Sequence, residues 1–112
     1  MELKDLTQEE LLAFIGMVKY ILEGDGRMTT PETDGLSEIV ETIGSGVYRN
    51  LLAQVKTRFS DSDNFRAFLK TIQRREAQEL IVKHAKVLAG LDSVSLEEEA
   101  ILDWLSEAWG VY

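Results

Sequence analysis

Apolar residues recur at helical spacing along almost the whole chain. In the first stretch they predict a helix that runs from behind Thr7 to about residue 22, with an inward face made of Leu11, Phe14, Ile15, Val18 and Leu22. Thr7 and Glu10 form a capping box, in which both side chains accept hydrogen bonds from amides at the helix start. Apolar and polar residues do not alternate over any stretch long enough for a strand, so the pattern favours helices alone.

The same periodicity continues to the end of the chain. The remaining helices are predicted at about residues 30–43, 47–59, 74–89 and 95–109, with a fourth helix between the cap cluster at residues 60–63 and a bend near Thr71 to Arg75. Pro31 suits a first helical turn, Ser95 and Glu98 form a second capping box, and Gly44-Ser45-Gly46 ends the second helix. Together these elements predict an all-α fold, a compact bundle of about six helices in a single domain that covers residues 1–112.

The first and last helix pairs are similar in sequence when one is shifted by 66 positions. The matching pairs are Ile15 with Ile81, Leu22 with Leu88, Gly24 with Gly90, Glu32 with Glu98, Leu36 with Leu102, Glu41 with Glu107 and Gly44 with Gly110. A generic amphipathic pattern would explain the leucines but not the glycines in register. We therefore predict an internal helix–loop–helix pseudo-repeat, with the two hairpins packed face to face and their acidic loops at one end.

Composition excludes several classes of protein. The 112 residues contain no cysteine, which excludes disulfides, thiolate metal sites and a cysteine nucleophile, and 45% are apolar, too many for a disordered chain. The longest uncharged run, Leu11–Val18, is far shorter than the roughly 20 residues of a membrane span. No apolar segment follows a basic start, so we expect no signal peptide, no transmembrane segment and a cytoplasmic location.

Charge is unevenly distributed within the net total of −8. Residues 1–46 carry ten carboxylates and three basic side chains, residues 47–91 carry four and nine, and residues 92–112 carry six and none. Because nucleic acid prefers a basic surface, the acidic total predicts no nucleic-acid partner. One alternative stays open, a nucleic-acid accessory protein that uses Arg66, Lys70 and Arg74, which are spaced four apart for one helical stripe. A solvated helix face explains the same stripe.

The two inter-helix loops carry the motifs that matter for function. The first reads Asp25-Gly26-Arg27-Met28 with Glu32 behind it, and the second reads Asp92-Ser93-Val94 with Ser95 and Glu98. In this layout the chain resembles the TerB-like family, named for tellurite resistance, whose hallmark is an Asp-Gly-x-aliphatic stretch followed by a cap and a glutamate, often in two copies. The second loop departs from the hallmark, since it lacks the glycine and is one residue shorter. The resemblance implies a non-enzymatic binding or regulatory module of a bacterial stress response, associated with metal ions or with membrane-bound protein partners.

The loop carboxylates are the candidate metal ligands, namely Asp25, Glu32, Asp92, Glu98 and Glu99. Hard divalent ions prefer clustered carboxylate oxygens, so calcium, magnesium, manganese or zinc are the candidate cofactors. Two alternatives stay open for the same residues: a structural role in turns and first helical turns, and a metal-dependent hydrolase that activates water. An EF-hand is rejected, because its alignment on Gly26 and Glu32 places Ile21 at the first ligand position.

Three side chains outside the loops carry weaker signals. His84, the single histidine, shares the spacing of Leu80 and Leu88, which predicts a partly buried boundary residue. One histidine cannot build a paired-imidazole zinc site, and the chain shows no catalytic triad. The last helix has a wide apolar face that includes Trp104 and Trp109, which predicts a central, covered helix; an exposed Trp104 would instead mark a partner surface.

Overall fold

The computed structural model describes residues 2–23, 30–59, 61–89 and 96–111. A short 3₁₀ turn at Leu3–Asp5 precedes six helices: α1 (Gln8–Glu23), α2 (Thr30–Ile43), α3 (Ser45–Arg58), α4 (Ser62–Leu69), α5 (Arg75–Ala89) and α6 (Leu96–Trp109). The described ranges contain no strand, and the molecule measures 33 × 31 × 29 Å along its principal axes. The predicted all-α bundle of about six helices is confirmed.

Local capping signals account for several helix starts. At α1 the backbone N–H of Glu10 donates to the Thr7 hydroxyl at 3.2 Å, and the N–H of Thr7 donates to the Glu10 carboxylate at 2.8 Å, so the first capping box is confirmed. At α4 the Asp61 carboxylate accepts a hydrogen bond of 2.8 Å from the N–H of Asn64. The second predicted capping box lies outside the described residues, since neither Ser95 nor the side chain of Glu98 is among them.

A single glycine separates α2 from α3. Gly44 has a φ of +96°, a left-handed value that favours glycine, and its N–H donates to the Val40 carbonyl at 2.7 Å. Its own carbonyl then accepts the first hydrogen bond of the next helix, from the N–H of Tyr48 at 2.9 Å. Ser45 and Gly46 therefore belong to α3, whereas the sequence predicted them as part of the break.

The corner between α4 and α5 lies at residues 70–74, which agrees with the join predicted near Thr71 to Arg75. At the end of α4 the Phe68 carbonyl accepts from both the N–H and the hydroxyl of Thr71, at 2.9 and 2.6 Å, and the N–H of Ile72 donates to the Leu69 carbonyl. These bonds reach back three residues rather than four, and the threonine hydroxyl competes for the carbonyl, so the helix tightens and ends. The prediction that Arg66, Lys70 and Arg74 share one helical stripe is wrong, because α4 ends at Leu69.

Helix α1 lies at the centre of the bundle. It contacts α3, α4 and α5, while α2 packs on α3 and α5, and α6 packs on α5. Side chains are buried on every side of α1: Leu12, Ala13, Phe14, Ile15, Met17, Val18 and Ile21. Where α1 meets α4, a Cβ on Gly16 would lie 2.3 Å from the Phe65 ring, so the two helices can approach this closely only because Gly16 has no side chain.

The helix boundaries agree with the predicted repeat. A shift of 66 residues carries α1 onto residues 74–89, within one residue of α5, and carries α2 onto residues 96–109, the bounds of α6. Gly44 and Gly110, which match under the same shift, are the two described glycines with a positive φ, and each follows the second helix of its pair. The predicted meeting of the acidic loops lies outside the described residues, because Asp25 and Asp92 are not among them.

Candidate functional site

The predicted metal ligands are only partly within the described structure. Asp25 and Asp92 lie outside the described residues. Glu32 and Glu98 are the third residues of α2 and α6, but their side chains are not described, and Glu99 is exposed in the first turn of α6. Among the described residues, no group of three or more histidine or carboxylate side chains is placed to hold a metal ion. The five-residue metal site therefore stays a prediction.

The donor chemistry of these residues fits a hard divalent cation. All five are carboxylates, and Glu32 and Glu98 occupy equivalent turns of two helices that match under the repeat. The same positions also suit a structural role, because the positive end of a helix dipole favours acidic side chains in the first turn. Binding measurements, rather than helix positions, distinguish these two roles.

An open groove lies between the 3₁₀ turn, α2 and α5. Its volume is about 410 Å³, and it is lined by Leu3, Asp34, Gly35, Glu38, Ile39, Thr42, His84, Val87 and Leu88. The floor is apolar: Leu3, Ile39 and Leu88 are buried, while Val87 is 58% exposed. Asp34 and Glu38 are exposed and lie one helical turn apart on α2. We call this site the α2–α5 groove.

The α2–α5 groove is acidic on one side and otherwise uncharged. In the described part of the chain, neither Asp34 nor Glu38 is in a salt bridge, and no lysine or arginine lines the groove. His84 is half-buried and forms a T-shaped ring pair with Phe14 at a centroid distance of 6.0 Å, so the predicted partly buried histidine is confirmed. Burial, and then the nearby charge of Lys83, lower the pKa of His84, and the imidazole is neutral at neutral pH.

Arg74, predicted to belong to a basic stripe, pairs with Glu10 instead. Its Nε donates to Glu10 Oε2 at 2.9 Å, and its Nη2 donates both to Glu10 Oε1 and to the Asp5 carbonyl. The Glu10 side chain is 7% exposed. Burial acts to raise the pKa of Glu10, but the hydrogen bonds from Arg74 and Thr7 outweigh it, and the pKa is lowered. The pair ties the start of α1 to the corner before α5, which is a structural role.

Arg66 packs against the last helix. Its guanidinium lies 5.1 Å from the centre of the Trp104 ring, and Trp104 is half-buried. Trp109 is buried, and its indole N–H donates to the Leu69 carbonyl at 2.9 Å. The covered face predicted for the last helix therefore holds fully for Trp109 and partly for Trp104. With Arg66 and Arg74 engaged in this way, the stripe on which the nucleic-acid alternative depended is not formed.

Sequence reasoning missed the α2–α5 groove. A signal for it exists in α2, which carries Glu32, Asp34, Glu38 and Glu41 and not one basic residue. Asp34 and Glu38 share a face at a spacing of four, and Ile39 follows directly. The contribution of α5 and Leu3 has no such local signal, since the three segments are far apart in sequence.

No protein-family model, no curated protein and no solved structure matches the chain. The resemblance to the TerB-like family therefore rests on the loop motifs and on the repeat that surrounds them.

Proposed function

We propose that this chain is a non-enzymatic binding module of TerB-like type, serving a bacterial stress response and holding a divalent cation at its acidic inter-helix loops. The module works in the cytoplasm through protein partners, including membrane-bound ones. In the described part of the chain, no helix is long and apolar enough to cross a membrane. Any contact with a membrane-bound partner is therefore proposed to run through protein surfaces.

The observation that supports this proposal is the agreement of helix boundaries under the 66-residue shift. It gives residues 24–29 and 90–95 the same place in the chain, each between two helices of matching length. The TerB-like resemblance depends on this two-copy layout, within which Asp92 lies one position after Leu91, the residue that corresponds to Asp25. Asp25 and Glu32 would supply oxygen ligands from the first copy, and Asp92, Glu98 and Glu99 from the second.

Charge gives a physical reason for a cation. The two ends of the chain, residues 1–46 and 92–112, together carry sixteen carboxylates and three basic side chains. Helices α1 and α2 from the first acidic end and α6 from the second all pack on α5, which belongs to the basic middle of the chain. A bound divalent ion would reduce the repulsion between the loop carboxylates and stabilise the folded state by its binding free energy.

Calorimetric titration with calcium, magnesium, manganese and zinc tests the proposal. We expect saturable heat for at least one ion with the natural chain, and its loss in the double variant Asp25→Asn with Glu32→Gln. The matched control is Glu41→Gln with Glu107→Gln, which removes the same charge at repeat-related positions outside the loops and should bind as the natural chain does.

Two outcomes would overturn the proposal. If all four ions gave only heats of dilution, the proposal that the loops bind a divalent cation would be rejected. Turnover of a phosphoester substrate with manganese, lost in the Asp25→Asn and Glu32→Gln double variant, would favour the hydrolase over a binding module.

A further inference from the structure

We propose that the α2–α5 groove binds a cationic amphipathic helix of another protein, with aliphatic side chains on its floor and lysine or arginine beside Asp34 and Glu38. This inference rests on the proposed binding role and adds to it a binding surface and the kind of partner that the surface binds.

The floor of the groove offers one exposed apolar anchor. Val87 is the more exposed of the two large aliphatic side chains that the described structure leaves in solvent, at 58% against 46% for Val47. Leu3, Ile39 and Leu88 lie buried beside it in the same groove, at 5%, 8% and 2% exposure. An aliphatic side chain placed over Val87 would therefore extend the existing core and remove apolar surface from water.

The charge of the groove determines whether its partner is positively or negatively charged. Asp34 and Glu38 stand on one face of α2 without a salt bridge to any described residue, and residues 28–46 contain no lysine or arginine. Both charged side chains that line the groove are therefore carboxylates, although Lys83 of α5 lies near enough to act on His84. The acidic wall on α2 attracts a cationic side chain and disfavours the phosphates of nucleic acid or of an anionic membrane. The net charge of −8 also disfavours a second copy of this chain as the occupant.

The dimensions fit a helix. The α2 residues that line the groove run from Asp34 to Thr42, a length of about 12 Å or two helical turns. A helix bound in a groove contacts it through residues spaced three, four and seven apart, which cover a similar length. Gly35, between Asp34 and Glu38 in the sequence, lines the groove and places no side chain in it.

A designed peptide serves as the probe. It is a fluorescent peptide of about 16 residues with leucines at helical spacing, lysines flanking them and alanines elsewhere. Binding is followed by fluorescence anisotropy in the presence of EDTA. One control peptide has glutamate in place of lysine, and a second has the same composition without an apolar stripe. We expect only the first peptide to bind, with an affinity that falls as salt is added.

Variants of the chain locate the binding site. Val87→Arg should weaken binding by about tenfold or more, and Asp34→Asn with Glu38→Gln by about tenfold with a weaker salt dependence. Val47→Arg, a similarly exposed valine on α3, and Glu41→Gln with Glu107→Gln should stay within about twofold of the natural chain. All these positions are exposed, so a thermal melt should show that each variant remains folded.

Several results would overturn the proposal. Equal binding of the peptide without an apolar stripe, or an unchanged affinity in Val87→Arg, would reduce it to general charge attraction. Concentration-dependent dimerisation lost in Val87→Arg would make a second copy the occupant. If no peptide bound but cation titrations still gave saturable heat, only the groove proposal would be rejected. If the peptide bound but no cation gave saturable heat, only the metal proposal would be rejected.

Discussion

Helices α1 and α5 hold equivalent places in the repeat, yet they are buried to different extents. Both bury an isoleucine completely at the matching positions, Ile15 and Ile81. On the opposite face the two helices differ: α1 buries Glu10, Ala13, Met17 and Ile21, while α5 exposes Glu76, Glu79, Lys83 and Val87 at the corresponding positions. One copy is the centre of the bundle, and the other forms its flank.

The segment between the two hairpins explains the difference. Helices α3 and α4 lie between the two pairs in the sequence, and both contact α1. On the α4 side, Phe65 lies against Gly16 and stacks on Tyr20 with ring centres 5.0 Å apart. A repeat alone would leave two similar half-buried helices. Helices α3 and α4 pack on α1, while the corresponding face of α5 is left in water, with Val87 among the residues that line the α2–α5 groove.

Exchanging residues between the equivalent positions 17 and 83 should give the largest effect. Met17 is fully buried and Lys83 is exposed. Met17→Lys places a charge in the core without a partner, and we expect a loss of about 4 kcal/mol or more, close to the whole stability of a small domain. Lys83→Met should change stability by no more than about 0.5 kcal/mol. Urea denaturation followed by circular dichroism measures both.

Similar losses in the two variants would contradict the comparison, because they would mean that both copies are equally covered. A tolerated Met17→Lys would show that the face of α1 on which Met17 lies is open to water.

The pair of positions 10 and 76 should give an intermediate effect. Glu10 is buried against Arg74, whereas Glu76 is exposed. Glu10→Gln keeps the capping hydrogen bond but removes the charge that Arg74 binds, and we expect a loss of about 2 kcal/mol. Glu76→Gln should stay within about 0.5 kcal/mol, and urea denaturation again compares the two.

The pH dependence provides an internal check on Glu10. Its folded pKa is lowered below the ordinary value of 4.5, so the stability it contributes is present above pH 4.5 and lost as pH falls through the folded pKa. The natural chain and Glu10→Gln should therefore differ most near neutral pH and converge in acid. A difference that persists unchanged in strong acid would assign the loss to packing rather than to charge.

The parts of the fold that sequence could predict are those that local signals determine. Thr7 with Glu10 and the glycine at position 44 mark helix ends within a few residues, and the 66-residue shift follows from residue types alone. The pairing of Arg74 with Glu10 joins residues 64 apart and has no local signal. The end of α4 depends on hydrogen bonds of Thr71, with no glycine or proline to announce it.

The candidate sites divide in the same way. The loop carboxylates are visible in the sequence because each loop carries its own motif, although Asp25 and Asp92 lie outside the described residues and the side chains of Glu32 and Glu98 are not described. The α2–α5 groove joins three separate segments, so only its acidic wall on α2 has a sequence signal. The half-covered state of Trp104 depends on Arg66 of another helix, which periodicity within α6 cannot indicate.

The smallest effect concerns positions 18 and 84, where a buried valine of α1 corresponds to the histidine of α5. Burial, and then Lys83, lower the folded pKa of His84 below its ordinary value of 6.5. As pH falls past 6.5 the unfolded chain takes up this proton before the folded one does, so stability decreases until pH has passed the folded pKa. Urea midpoints between about pH 5 and pH 8 should show this slope in the natural chain.

His84→Val gives α5 the same residue that α1 has at the matching position, Val18. The variant should lose the slope of stability against pH, whatever its effect on absolute stability. Lys83→Met should reduce the slope without abolishing it, because burial is the larger cause of the lowered pKa and Lys83 the smaller. A slope unchanged in His84→Val would mean that another group titrates there. If Lys83→Met abolished the slope, the charge of Lys83 rather than burial would be the cause of the lowered pKa of His84. The two copies would then differ more in electrostatics than in how deeply their matching positions are buried.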